Sequence, residues 1–225
     1  MVNVPFFEGL SAEQAARFEG RLQHKKVAEG SLILDFHDES SSVFFILSGA
    51  VRILVRTPAG KEMILGDCSA GDFFGELAAI DGALRSANVT ALNNTELLIV
   101  PAPVFREILA ASPDIALRLM GRLADRIRLL NERLFETRTL DVRHRLYSEL
   151  LRMASPRKGR SEELIVSPPP FQHDLAARIG CRREQVNREL NRMKEEGLAD
   201  PDRGGLVLTQ PAELRRRIAV TLGAA

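Results

Sequence analysis

Glu76, Arg85 and Ser86 lie in the stretch GDFFGELAAIDGALRSANVTAL, Gly71 to Leu92, where most other residues are apolar or small. A guanidinium is planar and can grip two phosphate oxygens at once. A carboxylate accepts from a sugar hydroxyl, and the Ser86 hydroxyl adds a further contact to phosphate. Gly75 lets backbone N–H groups approach a ligand closely. An acid for ribose and a base for phosphate describe a nucleotide, and a single arginine suits a single negative charge. The same two charges could instead form a salt bridge pinning a surface loop, worth about 0–1 kcal/mol. Spacing alone does not choose between these readings.

A second group of chemically able residues lies in FQHDLAARIGCRREQVNRELNRMKEEGL. The spacing predicts a short helix over 174–179, a tight turn at Gly180 and Cys181, and a second helix from Arg182. Leu175, Ala176, Ile179, Val186 and Leu190 supply the faces on which two helices cross, the helix-turn-helix pattern. The second helix carries Arg182, Arg183, Glu184, Asn187 and Arg188 in its first two turns. Arginine can take both acceptors on a guanine edge and a carboxylate can accept from cytosine, each good bidentate contact discriminating by about 1–3 kcal/mol. The following segment reads as a hairpin, with Arg203 at its turn placed as a wing near phosphates. A solvated charged helix would carry similar residues. The turn spacing, the wing and the local charge balance favour DNA.

Other elements must hold these groups in place. LSAEQAARFEGRL predicts a short amphipathic helix with a capping box from Ser11 to Gln14. From about residue 27 to 100, short β-rich runs separated by turn residues predict an antiparallel sandwich or barrel. Next, Pro113 and Asp114 suit the start of a long helix. Met120, Leu123, Ile127, Leu130, Leu134 and Thr137 alternate steps of three and four, which is a heptad seam. Ile115 and Leu119 form a second apolar face that could pack on the preceding sheets. The seam predicts a two-stranded coiled coil joining two copies. A new helix is expected after Thr139-Leu140-Asp141, then a polar loop at SPRKGRSEE and an extended approach at IVSPPP.

Charge follows the same division. Residues 1–110 hold 9 basic against 14 acidic side chains, and residues 143–225 hold 16 against 11. The basic back half is the candidate for a polyanion. Two cysteines in separate modules, Cys68 and Cys181, suit a reducing compartment. MVNVPFFEGLS has no basic stretch followed by an apolar core, so it does not read as a secretory signal. A cytoplasmic protein is expected. Lone His173 has no partner at metal-ligand spacing, and no phosphate-loop lysine or nucleophile–base pattern suggests an enzyme.

Phe74-Gly75-Glu76-Leu77-Ala78 and Arg85-Ser86-Ala87 resemble the phosphate-binding cassette of cyclic-nucleotide-binding domains. With the downstream helix-turn-helix, the chain resembles the cyclic-AMP receptor protein / fumarate–nitrate regulator (CRP/FNR) family of transcription factors. The resemblance implies an α+β chain: an N-terminal jelly-roll β-barrel sensor over 1–110, a dimerisation helix over 111–140 and a winged helix-turn-helix over 141–225. It implies cyclic AMP as effector, with Glu76 on the ribose 2′-hydroxyl. Arg85, Ser86 and backbone near Gly75 and Leu77 would take the phosphate, and Leu130 and Asn131 stand where the dimer helix reaches adenine. Leu130 replaces the usual threonine. Arg183, Glu184 and Arg188 match the base-reading triplet and imply a half-site similar to GTGA. Phe171 stands where a Thr or Ser is usual, and Gln172 takes part of that phosphate-facing role. A homodimer on palindromic double-stranded DNA, with RNA polymerase as a further partner, completes the expectation.

The residues leave other inputs open: cyclic GMP, another nucleotide, or no ligand. A different class, a regulatory subunit that docks an enzyme through its C-terminal helices, also remains. An iron–sulfur branch would need about four cysteine ligands, and only Cys68 lies in the sensor half. The intact cassette argues against a haem branch.

Overall fold

The computed structural model describes residues 4–57 and 60–223, and leaves the Ser161 side chain undescribed. The chain divides into two compact units that meet within one helix, the first running to Ile127 and the second starting at Arg128.

The first unit opens with a single 3-10 turn, Pro5–Phe7, and α1, Ala12–Glu19. The expected capping box is formed: Gln14 N–H donates to Ser11 Oγ at 3.1 Å and Ser11 N–H to Gln14 Oε1 at 2.9 Å. The strands are β1 Gln23–Val27, β2 Leu32–Leu34, β3 Val43–Ser48, β4 Ala50–Arg56, β5 Glu62–Ser69, β6 Phe73–Phe74, β7 Asn88–Ala91 and β8 Thr95–Val100. Between β6 and β7 lies α2, Glu76–Asp81; after β8 come α3, Ala102–Ala111, and α4, Pro113–Thr139.

These strands form two four-stranded antiparallel sheets, ordered β1-β8-β3-β6 and β2-β7-β4-β5, the jelly-roll arrangement rather than one closed barrel. The run VFFI in β3 is apolar throughout because both faces of the strand are covered. Phe44 and Ile46 join one apolar cluster with Phe74, Val51 and Leu97, while Val43 and Phe45 join another with Phe6, Phe73 and Phe105. Successive side chains of a strand point to opposite faces, so alternate residues feed the two clusters. The β3–β6 register sets Phe44 opposite Phe74, and their rings stack 5.0 Å apart. Ile115 and Leu119 of α4 are buried in the Phe6 cluster, as the sequence predicts, and Leu123 packs partly against it.

The helix α4 is 27 residues long, about 40 Å at 1.5 Å per residue. Of its heptad positions, Met120, Ile127, Leu130 and Leu134 are more than half exposed. Leu123 departs from the expected seam, because it is drawn onto the chain's own core.

In the second unit, α5 spans Val142–Met153 and is capped by Asp141, whose carboxylate accepts from His144 N–H at 3.0 Å. The predicted polar loop after it is instead a hairpin of β9 Ser155–Arg157 and β10 Arg160–Val166. Its polar composition hides the pairing, which is stabilised across strands by Arg157 and Glu163 at 2.5 Å. There follow α6 Gln172–Ile179, α7 Arg183–Glu195, β11 Ala199–Asp202, β12 Gly205–Leu208 and α8 Pro211–Thr221. The four strands make one sheet, β11-β12-β10-β9. Leu146, Leu150, Leu175, Ile179, Val186, Met193 and Leu214 close the core of this unit. Among the described residues, no helix is long and apolar enough to cross a membrane.

Candidate effector cassette and nucleic-acid interface

The cassette is built by β6, Gly75 and α2. Phe73 and Phe74 are both buried and anchor the strand end. Gly75 then turns the chain at φ +82°, a conformation that suits a residue without Cβ. An added Cβ would lie 2.7 Å from Arg85 Nη1 and 3.0 Å from the Ser42 carbonyl oxygen. Glu76 opens α2 and is buried, as is Ala78, while Leu77 and Ser86 are exposed.

Arg85 is 3% exposed and returns to this turn from the far side of α2. Its Nη1 donates to the Gly75 carbonyl at 2.7 Å, Nη2 to the Ser42 carbonyl at 2.7 Å, and Nε to Ser40 Oγ at 3.1 Å. The backbone is clasped as well: Arg85 N–H donates to Asp38 O, and His37 N–H to Arg85 O, both at 3.0 Å. Arginine has five N–H donors, so these three side-chain contacts leave two. Burial lowers the Arg85 pKa, with Asp38 and Glu76 opposing that shift. Glu76 and Arg85 are thus brought to the same turn, each with partners inside the chain.

The partner of Glu76 is a residue that the sequence reading missed. Arg126 of α4 donates through Nη1 to Glu76 Oε1 at 2.5 Å and through Nη2 to the Phe73 carbonyl at 2.7 Å. One helical turn earlier, Arg122 lies 3.4 Å from Asp72, and one turn before that Arg118 donates to the carbonyls of Phe6 and Glu8. Arginines at 118, 122 and 126 recur every four residues and therefore share one helix face. That period, alongside Asp72 and Glu76 with the same spacing, was the available signal. Burial pushes the Cys68 thiol up to about 11, so it stays protonated at neutral pH. Leu130 and Asn131, expected at the adenine, are exposed on α4.

In the second unit, α6 and α7 are joined at Gly180, which ends α6 in a left-handed conformation, φ +69°. Leu175, Ala176, Ile179 and Val186 are buried between them and Leu190 is partly buried, the inner faces that the spacing predicts. Arg182 caps α7 through its backbone, donating N–H to Gln185 Oε1 at 3.1 Å. Arg182, Arg183, Glu184, Asn187 and Arg188 are all exposed. Gln172, at the start of α6, donates to Asn187 Oδ1 at 3.1 Å and so ties the two helices at their outer edge. The exposed Arg203 sits at the β11–β12 turn, next to Asp202, whose carboxylate accepts its N–H at 2.7 Å. Phe171 is exposed and stacks on His173, the ring centroids 5.3 Å apart. Among the described residues, no cluster of His, Cys, Asp and Glu could hold a metal ion.

A jelly-roll sensor followed by a long helix and a winged helix-turn-helix defines a DNA-binding transcription regulator with a ligand-binding domain. Comparison with known proteins agrees. The cyclic nucleotide-binding domain family model matches residues 24–112, and the Crp-like helix-turn-helix domain model matches residues 144–217. The chain is 30% identical over 176 residues to the cAMP-activated global transcriptional regulator CRP of Salmonella typhimurium, covering 78% of this chain and 83% of that one. It is 27% identical over 213 residues to a CRP-like cAMP-activated global transcriptional regulator of Mycobacterium tuberculosis, covering 94% and 95%. In fold it is similar to a CooA variant from Carboxydothermus hydrogenoformans, with TM-score 0.78 and 20% identity over 92% of each chain. The chain belongs to the CRP/FNR family of transcription regulators, and is a regulator rather than an enzyme.

Proposed function

We propose that this regulator works as a homodimer joined along α4, and that cyclic AMP bound at the cassette raises its affinity for a palindromic duplex. The observation that carries this reading is the convergence of Glu76 and Arg85 on Gly75, with Arg85 Nη1 bonded to the Gly75 carbonyl at 2.7 Å. In this reading the ribose 2′-hydroxyl donates to the Glu76 carboxylate, which keeps acceptor sites beyond the one Arg126 uses. The cyclic phosphate accepts from the two remaining N–H groups of Arg85 and from the Ser86 hydroxyl. Asn131 offers an amide to the adenine edge, beside Leu130. The exposed apolar positions Met120, Ile127, Leu130 and Leu134 support the dimer, because a heptad seam left in water gains by pairing.

On DNA, Arg183, Glu184 and Arg188 would enter the major groove and read a GTGA-like half-site. Arg182, Asn187 and Gln172 would flank the groove, and Arg203 would meet phosphate from the wing. A dimer sets its two recognition helices about 34 Å apart, one turn of the duplex. RNA polymerase is the downstream partner in this scheme. The relatives' printed activation by cAMP supports the effector.

A second reading rests on Leu130, which offers no polar atom to a base edge. It keeps the DNA-binding regulator and assigns cyclic GMP or another effector. Titrating duplex binding with cyclic AMP and cyclic GMP at fixed salt separates the two. The first reading expects a gain in affinity with cyclic AMP, lost in Arg85→Ala. Undiminished cyclic AMP binding to Arg85→Ala would reject it.

A further inference from the structure

Glu149 of α5 is a buried carboxylate, its side chain 3% exposed, and three arginines from three helices converge on it. Its Oε2 accepts from Arg152 Nη1 at 2.5 Å, within α5. Arg133 Nη2 of α4 lies 3.4 Å from both of its oxygens, and Arg178 Nη1 of α6 lies 3.4 Å from Oε1. Arg152 in turn donates through Nη2 to both oxygens of Glu136 in α4, at 2.6 and 2.5 Å. Arg178 is almost as buried as Glu149, with 5% of its side chain exposed.

The lengths of these contacts differ in a telling way. The contact within α5 is short, whereas both contacts from other helices exceed the roughly 2.7–2.9 Å usual for a charged N–H to a carboxylate. The carboxylate is therefore held from α5, and Arg133 and Arg178 share Oε1 at equal distance from opposite helices. Arg133 stands one helical turn after Leu130 and Arg178 is in the first helix of the helix-turn-helix, so the shared oxygen links α4 to the DNA-reading element.

We propose that Glu149 is a positioning residue that couples α4 to α6, with Arg133 and Arg178 as the two ends of the link. A movement of α4 shifts Arg133 and Glu136, which carry the Glu149–Arg152 pair with them. Arg178 follows the carboxylate, and α7 follows α6 because the two helices share the Leu175–Val186 core. Five charged groups are engaged, three basic and two acidic, and removing the Glu149 charge takes away the carboxylate that Arg133, Arg152 and Arg178 share.

The test uses the full-length chain with Arg133→Gln and Glu149→Gln. Hydrogen exchange reads the physical link without any nucleotide. Exchange in α6 should quicken by about tenfold in Arg133→Gln, the scale of one lost charged contact, while the two sensor sheets stay unchanged. The second readout rests on the effector reading above: the gain in duplex affinity on adding cyclic AMP should fall by about tenfold in either variant. By linkage, the gain in cyclic AMP affinity on adding duplex should fall by the same factor. A purely structural ion cluster would lower thermal stability and leave that gain intact. Unchanged α6 exchange in Arg133→Gln, or altered exchange with an intact gain, overturns the proposal. If the wild-type chain shows no gain with any cyclic nucleotide, the effector reading fails, and α6 exchange alone decides the link. If Glu149→Gln does not fold, Arg133→Gln decides both readouts.

Discussion

The Arg126 guanidinium donates to the buried Glu76 carboxylate at 2.5 Å, and the same guanidinium lies over the Phe73 ring, 5.0 Å from its centroid. One side chain of α4 thus touches the acid at the start of α2, the carbonyl that precedes Gly75 and Phe74, and the aromatic wall of β6. Whatever binds Glu76 must share it with α4, which gives a direct route from the cassette to the long helix.

Replacing Arg126 with Ala leaves Glu76 buried without its cation. Breaking a buried pair costs about 3–5 kcal/mol. Because 37% of the Arg126 side chain is exposed, solvent screening reduces this to about 2 kcal/mol. Calorimetric unfolding of the full chain should show the sensor transition lowered in Arg126→Ala and partly restored by adding Glu76→Gln. An unmoved sensor transition in the single variant would contradict the pairing.

Gly75→Ala forces a Cβ into a backbone at φ +82° and against Arg85 Nη1 and the Ser42 carbonyl. Strain of this kind costs about 1–3 kcal/mol, and relieving it moves the Arg85 guanidinium. Thermal stability and cyclic AMP affinity should fall together, read by calorimetry on the same sample. Loss of stability with unchanged nucleotide affinity would remove Arg85 from the proposed phosphate site.

Under the proposed assignment of Arg188 to a base edge and Arg203 to phosphate, Arg188→Ala and Arg203→Ala should fail differently. Loss of a base-reading arginine costs about 1–3 kcal/mol on the preferred duplex and relaxes preference at one base pair. Loss of a phosphate contact weakens all duplexes alike and reduces the salt slope by about 1. Binding titrations at several salt concentrations, on matched and mismatched duplexes, distinguish the two outcomes.

The Glu213 carboxyl in α8 is pulled down to about 2, first by its hydrogen bond from Arg216 and then by the one from Arg217. Its ordinary value is 4.5, so the folded chain binds this proton less readily than the unfolded chain does. The contribution to stability is present above pH 4.5 and fades as the pH falls toward 2. Glu213→Gln should therefore flatten the acid side of the stability profile of the DNA-binding unit between those values. A profile identical to that of the wild-type chain would show the pairing to be without effect in solution.

The sequence by itself determined the order of the main parts, a β-rich region, a long helix and a helix-turn-helix, because the signals that define them are local. The Ser11–Gln14 capping box, the arginine-rich first turns of α7, Gly180 between two amphipathic helices and the start of α4 at Pro113 each depend on neighbours a few residues away. The cassette was readable for the same reason, as one continuous stretch. Its polar disguise hid the β9–β10 hairpin, where Arg157 and Glu163 look like loop residues until the strands pair. Only the tertiary structure decided which charges meet. Glu76 finds Arg126 fifty residues on, and Arg85 turns back to Ser40 and Ser42. Glu149 gathers arginines from α4 and α6. Long charged side chains have many reachable partners, and burial together with helix approach selects among them, a choice that no local pattern encodes.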